Sequence, residues 1–361
     1  MEVSLKIPKR IKRIVKKLKK HGYTTYLVGG CVRDLLLGIP PKDYDIGTSA
    51  TPEEVLEIFK GRSQIIGRRF PIVHVYLGEA KYVEVTTFRG KEELDSEKRD
   101  NYGTPEEDAK RRDLTINALF YDIDTGEVID FVKGLEDLKN GIIRVIGKPE
   151  VRFSQDPVRM LRAIRHSARL GFRIEPNTWQ GIISCNYLIK GVKWERLRDE
   201  LIKDITGYWV EKWFSLFKKT GLLFQVYPFY QDLLKDPLFS EKLLFKFLKF
   251  LGKHENLSQE QKLVLFTYPF LPLIKRPYDP GDFNKIPTFD RKELLRLFWA
   301  LYFTFRFHRA LFEKTMDMLR DTYKILYFMR RKRSISRKYK KKPYFDEIFY
   351  LARVIERLIK G

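Results

Sequence analysis

Cysteine is scarce in this chain, and the scarcity is informative. Cys31 and Cys185 are its only thiols. They lie far apart, with no CxxC pair or histidine cluster beside them, so neither a disulfide framework nor a zinc site is indicated. A reducing, cytoplasmic setting is expected. Long apolar runs are lacking too: nothing approaches the roughly 18 uninterrupted apolar residues of a membrane span. No internal repeat is evident. Negative charge is also short, with 47 acidic residues against 70 Lys and Arg and a formal net charge of +23. A surface so basic repels itself unless a polyanion covers it, and RNA or DNA is the commonest such partner. An anionic membrane surface ranks behind nucleic acid.

With 361 residues and 43% hydrophobic content, the chain can bury a sizeable core and divide into two or more domains. The basic N-terminus, "MEVSLKIPKRIKRIVKKLKKHGY", places Ile11, Ile14, Val15 and Leu18 at helical spacing. It imitates a targeting presequence but runs into apolar "TTYLVGG" with no small-residue cleavage site, so an ordinary first helix is expected. From about residue 22 to 135, "TTYLVGG", "DYDIG", "IVHVYLG", "KYVEVTTF" and "EVIDFV" read as strands. Between them "ATPEEVLEIF" carries a helix start, with Thr51 as N-cap, Pro52 at N1 and Glu54 at N3. After "GIIRVIG" the strand signal fades into three- and four-residue apolar spacing, as in "DPVRMLRAIRHSARLGF", "WERLRDELIKDI" and "EKLLFKFLKFLG". The remainder is expected to be helical, with a long Pro/Gly-rich connection from Pro272 to Asp290.

The chemistry begins at "KDYDI", where Asp43 and Asp45 sit two apart and so share one face of a strand. Burying two like charges side by side is expensive, and bound divalent cations would restore the balance. Hard oxygen ligands favour magnesium. A two-metal phosphoryl-transfer site usually needs a further carboxylate facing two ions roughly 4 Å apart. Glu84 in "YVEVTTFRG" is the candidate, a lone acid opposite Val83 and Val85, although such an acid can also simply face solvent. Upstream, "LVGGCVRDLLLG" follows a strand and opens a helix, so Gly29 and Gly30 can bring backbone amides to an anion, with Arg33 nearby. A third feature is "RRKRSISRKYKKK", which contains Arg330, Arg331, Lys332, Arg333, Lys340, Lys341 and Lys342 and no acid. A phosphate-backbone contact is expected there, helped by Tyr323, Tyr327, Tyr339 and Tyr344; a solvated helix end is the bland alternative.

Taken in order, "GGCVRDLLLG", "KDYDIGTSA", "EVTTFRG", "RRDLTINALFYD", "DPVRMLRAIRHSARLGF" and "ERLRDEL" resemble the class II tRNA nucleotidyltransferase and bacterial poly(A) polymerase family, over roughly residues 22 to 202. The resemblance implies an α+β fold: a polymerase-β-like head, a small mixed or antiparallel sheet with helices, then an all-α neck, body and tail. The expected boundaries are 1–140, 141–205, 206–275 and 276–361. It also implies template-independent addition of nucleotides to an RNA 3′ end. Asp43 and Asp45 would then hold the metals and Glu84 complete the catalytic set. Asp113 would recognise the ribose 2′-hydroxyl, with Arg112 and Asn117 on nucleotide groups, although an RRD at a helix start is more often a cap. The family's base-reading EDxxR appears as Gln155, Asp156, Pro157, Val158, Arg159, departing at its first position. Asp156 and Arg159 would offer an acceptor and a bidentate donor to a base edge. Arg162 would face the triphosphate, Arg165 extends the stripe, and Glu195 and Arg198 resemble a motif that stiffens the neck through ion pairs.

Family members add CC, A, the whole CCA or a poly(A) tail. The stretch between Arg89 and Arg111 is short and polar, whereas CCA-adding relatives use a longer loop to reshape the pocket from C to A. The leading expectation is therefore a CC-adding enzyme acting on the tRNA acceptor arm and 3′ end with two Mg2+ ions and CTP. Full CCA addition follows, then A-adding or poly(A) activity with ATP, whose relatives share the wording of "RDNYGTPEEDA". A catalytically inactive RNA-binding protein is the alternative from another class.

Overall fold

The structure is a computed structural model that describes residues 2–67, 71–78, 81–90, 101–274, 291–303 and 309–360. The chain packs as two compact units, one of residues 1–155 and 172–181, the other of residues 156–171 and 182–361.

The first unit is built on a seven-stranded sheet. Its strands are β1 (Thr25–Val28), β2 (Asp45–Thr48), β3 (Ser63–Ile66), β4 (Ile72–Gly78), β5 (Lys81–Thr87), β6 (Leu119–Tyr121) and β7 (Val128–Asp130), in the order β3-β4-β5-β2-β1-β6-β7. Every pairing is antiparallel except β2 with β5. The mixed sheet expected from the sequence is present. Strands β3 and β6 were not anticipated; at four and three residues they are too short for alternation to show, and Leu119, Phe120 and Tyr121 are all buried.

One face of this sheet is mainly apolar, with Leu27, Ile46, Val73, Val75, Val83 and Val85 all buried, alongside Thr25 and Thr48, whose hydroxyls bond each other at 3.0 Å. It packs with α1 (Lys9–Lys20), which buries Ile11, Ile14, Val15 and Leu18 as their spacing requires. It also packs with α3 (Pro52–Ile58), whose Thr51 and Glu54 form a capping box ahead of Pro52. Between these lies α2 (Gly30–Leu36), and after the sheet's centre come α4 (Pro105–Arg111), α5 (Gly134–Asn140) and α6 (Pro149–Gln155). A parallel pair, β8 (Ile142–Ile143) with β9 (Arg173–Ile174), completes the unit, so one short strand follows "GIIRVIG" where only helix was expected.

The opposite face is divided. Val28, Phe88, Ala109, Ala118, Phe120 and Ile146 form a buried cluster there. Strand registers put Gln64, His74, Glu84, Asp45, Val28 and Phe120 in one row across that face. The cluster covers the row's β1–β6 end; the β3–β4 end carries exposed Gln64, Tyr76 and Tyr82. Asp45 and Glu84 stand at the border between the dry and wet halves.

In the second unit the described elements are helical. They are α7 (Val158–Leu170), the end of α8 (Pro176–Cys185), α9 (Trp194–Thr206), α10 (Val210–Lys219), α11 (Leu222–Val226), α12 (Tyr230–Leu233), α13 (Glu241–Lys253), α14 (Gln259–Thr267), α15 (Arg291–Tyr302), α16 (Arg309–Arg330), α17 (Arg337–Lys340) and α18 (Phe345–Lys360). Their core is strongly aromatic. Trp213 stacks on Phe217, with ring centres 4.8 Å apart, and Phe247 stacks on Tyr268 at 5.5 Å. Several buried hydroxyls find partners within it: Tyr227 donates to the Leu301 carbonyl at 2.7 Å, and Thr267 shares a 2.7 Å bond with Tyr302. The Pro/Gly-rich connection lies largely outside the described residues, and the four-part division of the chain stays a proposal beside the two observed units.

Candidate functional site

The site is assembled on the divided face of the first unit. Asp45 opens β2 opposite Glu84 of the parallel strand β5. Side chains of register partners point to the same face, so the two carboxylates are neighbours. Two positions further along, Gly47 leaves room for a ring: a Cβ there would sit 2.7 Å from Phe88 Cε1 and 2.9 Å from Val28 Cγ1. The apolar cluster thus presses against the same strand that presents Asp45. The Asp45 carboxyl is pushed up to about 6, first by burial, then by the negative charge of Glu84, with Arg112 opposing and Asp43 adding to the rise.

Asp43 is placed differently from the sequence expectation. It lies in the exposed bend before β2 rather than within the strand, so Asp43 and Asp45 are not two charges buried side by side. Only Asp45 bears the cost of desolvation. Glu84 is half-buried, and its Oε1 stands 3.6 Å from His74 Nε2. Among the described residues no three His, Cys, Asp or Glu side chains converge on one metal position. The donor chemistry nonetheless fits a hard divalent cation: oxygen ligands from adjoining strands, whose mutual repulsion already raises Asp45.

Beside Asp45 the chain turns sharply at Gly29, whose φ of 75° is a left-handed conformation. A Cβ there would lie 2.9 Å from Arg112 Nη1 and 3.9 Å from Asp45 Oδ2, so only glycine lets this backbone approach both charges. Beneath it runs a buried polar network. Arg33, 2% exposed, donates to Asp34 Oδ1 at 2.8 Å and to the Asn117 side-chain oxygen. Asn117 donates in turn to Asp113 Oδ1 at 3.3 Å. Asp113 Oδ1 also accepts from the adjacent Leu114 amide at 2.8 Å, but it caps no helix: the short turn Thr115–Asn117 begins after Leu114 with no side-chain cap. Arg112 donates to Asp108 Oδ2 from Nε at 3.0 Å and Nη2 at 2.8 Å, and from Nη1 to the Asn117 carbonyl at 3.3 Å. It also lies over the Phe120 ring at 5.3 Å.

The second unit carries its own cluster at the start of α7. Asp156 accepts from the Val158 amide at 3.2 Å and forms an ion pair with Arg196 at 2.7 Å. Arg159 is buried; against the cost of burial, the Glu200 carboxyl is held below the usual range by Arg165, then Lys203, with Arg162 the smallest contributor.

Two family models match the chain: a Poly A polymerase head domain over residues 25–144, and a probable RNA and SrmB-binding site of polymerase A over residues 171–234. The chain belongs to the tRNA nucleotidyltransferase and poly(A) polymerase family. Over 214 residues it is 45% identical to the poly(A) polymerase I of Escherichia coli O6:H1, a match covering 55% of this chain and 46% of that protein. Over 231 residues it is 41% identical to the CCA-adding enzyme of Lactobacillus helveticus, covering 60% and 57%. The chain therefore spans about half the length of the curated relatives it matches. Its fold is that of the Bacillus stearothermophilus CCA-adding enzyme solved in complex with CTP, at a TM-score of 0.56, 24% identity and 98% coverage of both chains.

Within that family frame, the first unit brings together Asp45, Glu84, Gly29, Gly30, Arg112, Asp113 and Asn117. Arg33 belongs to the network under the turn, tied to Asp34 and Asn117, rather than to an open cationic surface. Arg165, read as an extension of a basic stripe, is committed inside the second unit: it pairs with Asp204 and, at 2.5 Å, with Glu200, which hold the guanidinium charged. Arg198 is 2% exposed and donates at 2.7 Å to its neighbour Asp199, a contact within one helix.

The basic tail also divides. Arg331, Lys332, Arg333, Lys340 and Lys341 are exposed. Lys342 is bound to buried Asp321 and lies 3.1 Å from the Tyr344 hydroxyl, and Arg330 Nε stands 4.0 Å from Glu356. Tyr323 is core, 1% exposed, and offers no stacking surface.

Three neighbours of the candidate site residues were not anticipated. Asp108, which fixes Arg112, was visible as an i, i+4 acid–base pair. His74 beside Glu84 was visible only as a polar interruption of a β-branched run. Arg196 on Asp156 had no local signal, because 40 residues separate them.

Proposed function

We propose that the chain adds nucleotides without a nucleic acid template to the 3′ end of tRNA, with CTP or ATP as donor and CMP addition by a CC-adding enzyme as the leading case. The observation that carries the reaction class is the Asp45–Glu84 pair beside the Gly29 turn and Arg112. Asp43 and Asp45 are the residues that would hold two magnesium ions, and Glu84 completes the acidic set. When bound, such ions supply a lowered pKa at the attacking 3′-hydroxyl and neutralisation of the leaving pyrophosphate. The Gly29–Gly30 backbone and Arg112 hold phosphate oxygens, and Arg33 keeps Asn117 and that turn in place. Asp113 provides an acceptor that favours ribonucleotides by rewarding a 2′-hydroxyl. In the second unit Asp156 and Arg159 read the base edge, Arg196 fixing the carboxylate, and Arg162 contacts the triphosphate. The exposed tail cations contact the tRNA backbone.

The CC-adding reading rests on the short stretch between Arg89 and Arg111, of which residues 91–100 lie outside the described residues. Full CCA addition is the next reading. A-adding or poly(A) activity is favoured instead by the 45% identity to poly(A) polymerase I. Purified protein incubated with tRNAs ending before the CCA, within it and at the final A, each with CTP or ATP, separates these readings. Extension by CTP alone, stopping after two residues, is expected; extension by ATP alone ends the CC reading. Tight tRNA binding without incorporation under magnesium or manganese would mean an inactive RNA-binding protein.

A further inference from the structure

We propose that Tyr82, stacked on His74 and flanked by Tyr76, is the platform on which the 3′-terminal base of the RNA strand stacks beside Glu84. The inference deepens the function proposed above and rests on it. Strand register places His74 opposite Glu84 and Tyr76 opposite Tyr82, all on the face that carries Asp45. The inward positions of the same strands, Val73, Val75, Val83 and Val85, are buried. Outward positions of a half-covered sheet are ordinarily polar, yet here they present three rings. His74 and Tyr82 lie 3.8 Å apart at 10°, and Tyr76 meets Tyr82 edge-on at 6.3 Å and 75°. Tyr82 remains 47% exposed and Tyr76 38%.

Cross-strand aromatic pairs steady a hairpin, which accounts for contact between the rings but not for their place. The Gly29 turn, Arg112 and Asn117 lie on the β1–β6 side of Asp45, where the triphosphate is proposed; the rings lie on the β4–β5 side of Glu84. The carboxylate pair therefore has an anion-binding flank and an aromatic flank, as two different substrates require. An RNA end whose hydroxyl must meet the carboxylates needs its last base held alongside. Stacking suits that task because every base has a π-face, so ends differing in sequence are accepted as the strand grows.

The test is a cycle of two proteins and two RNAs. Wild type and Tyr82→Ala are each titrated with a tRNA minihelix lacking its terminal nucleotides, and with the same RNA carrying an abasic ribose at its 3′ end. Either change alone is expected to weaken binding and raise the KM for RNA by roughly ten-fold, and both together no further. The KM for the nucleoside triphosphate stays unchanged, and Tyr82→Phe, which keeps the ring, restores binding. Should Tyr82→Ala fold poorly, Tyr82→Thr removes the ring while keeping a β-former. Equal binding of both RNAs by wild type, or losses that multiply, overturns the platform. If wild type extends RNA while the losses multiply, the platform alone falls; if wild type neither binds nor extends RNA, the nucleotidyltransferase reading falls with it.

Discussion

Replacing Asp45 with Asn should disable the site and stabilise the protein, but only at neutral and alkaline pH. Asp45 is held at about 6 against an ordinary value of 3.8, chiefly by burial and then by Glu84. A carboxyl whose folded pKa is raised favours the fold in its protonated form. Its contribution is fully present below about 4 and is lost as pH rises through about 6. The difference corresponds to about 3 kcal/mol at most, and partial solvation of Asp45 reduces it to ~1 to 3 kcal/mol. Asn cannot ionise, so Asp45→Asn should gain that amount at pH 8, roughly 2 to 10 °C in Tm for a domain of this size, and almost nothing at pH 4. The assay is thermal unfolding in EDTA at both values. Millimolar Mg2+ at pH 8 should narrow the gap, because an ion that binds the native wild-type site stabilises it by mass action. A variant no more stable than wild type at pH 8, or one shifted equally at pH 4 and 8, refutes the account of Asp45 as a strained acid.

Gly47→Ala should cost about 1 to 3 kcal/mol in denaturant unfolding by overpacking Phe88 and Val28; it should also lower kcat by displacing β2, whereas an unchanged midpoint would mean the ring simply moves aside. Arg165→Ala leaves Asp204 buried without its cation and should destabilise the protein by about 3 to 5 kcal/mol, with no specific effect on the KM for the triphosphate. Neutralising Arg331, Lys332, Arg333, Lys340 and Lys341 together should weaken tRNA binding and flatten its salt dependence. Lys342→Gln should instead lower Tm, since it removes the lysine from buried Asp321 and leaves that carboxylate with Arg320 at 3.4 Å and the Tyr344 hydroxyl at 3.1 Å.

Local features of the fold were readable in advance because they depend on neighbours in sequence. The capping box at Thr51 and Glu54 formed as spaced, since both groups lie within one turn of the helix they serve. The face of the first helix followed from the 3.6-residue period. Alternation in "KYVEVTTF" placed Glu84 opposite buried Val83 and Val85. The short β3 and β6 escaped notice because three or four residues carry too little periodicity to be told from a loop.

The sequence by itself singled out the residues proposed to carry chemistry: the acids Asp43, Asp45 and Glu84, the Gly29–Gly30 turn, and an excess of positive charge that calls for a polyanion. Only the tertiary structure decided what each of them meets. It set Asp45 beside Glu84 while leaving Asp43 in the exposed bend, and it spent Arg33, Arg165, Arg330 and Lys342 on acids inside the fold while Arg331, Lys332, Arg333, Lys340 and Lys341 stay on the surface. The reason is the range of the forces. Strand and cap patterns are written in contacts a few residues apart, whereas a charge's partner is chosen by the packing of distant segments, where an acid 39 residues away, as Asp204 is from Arg165, can stand at bonding distance.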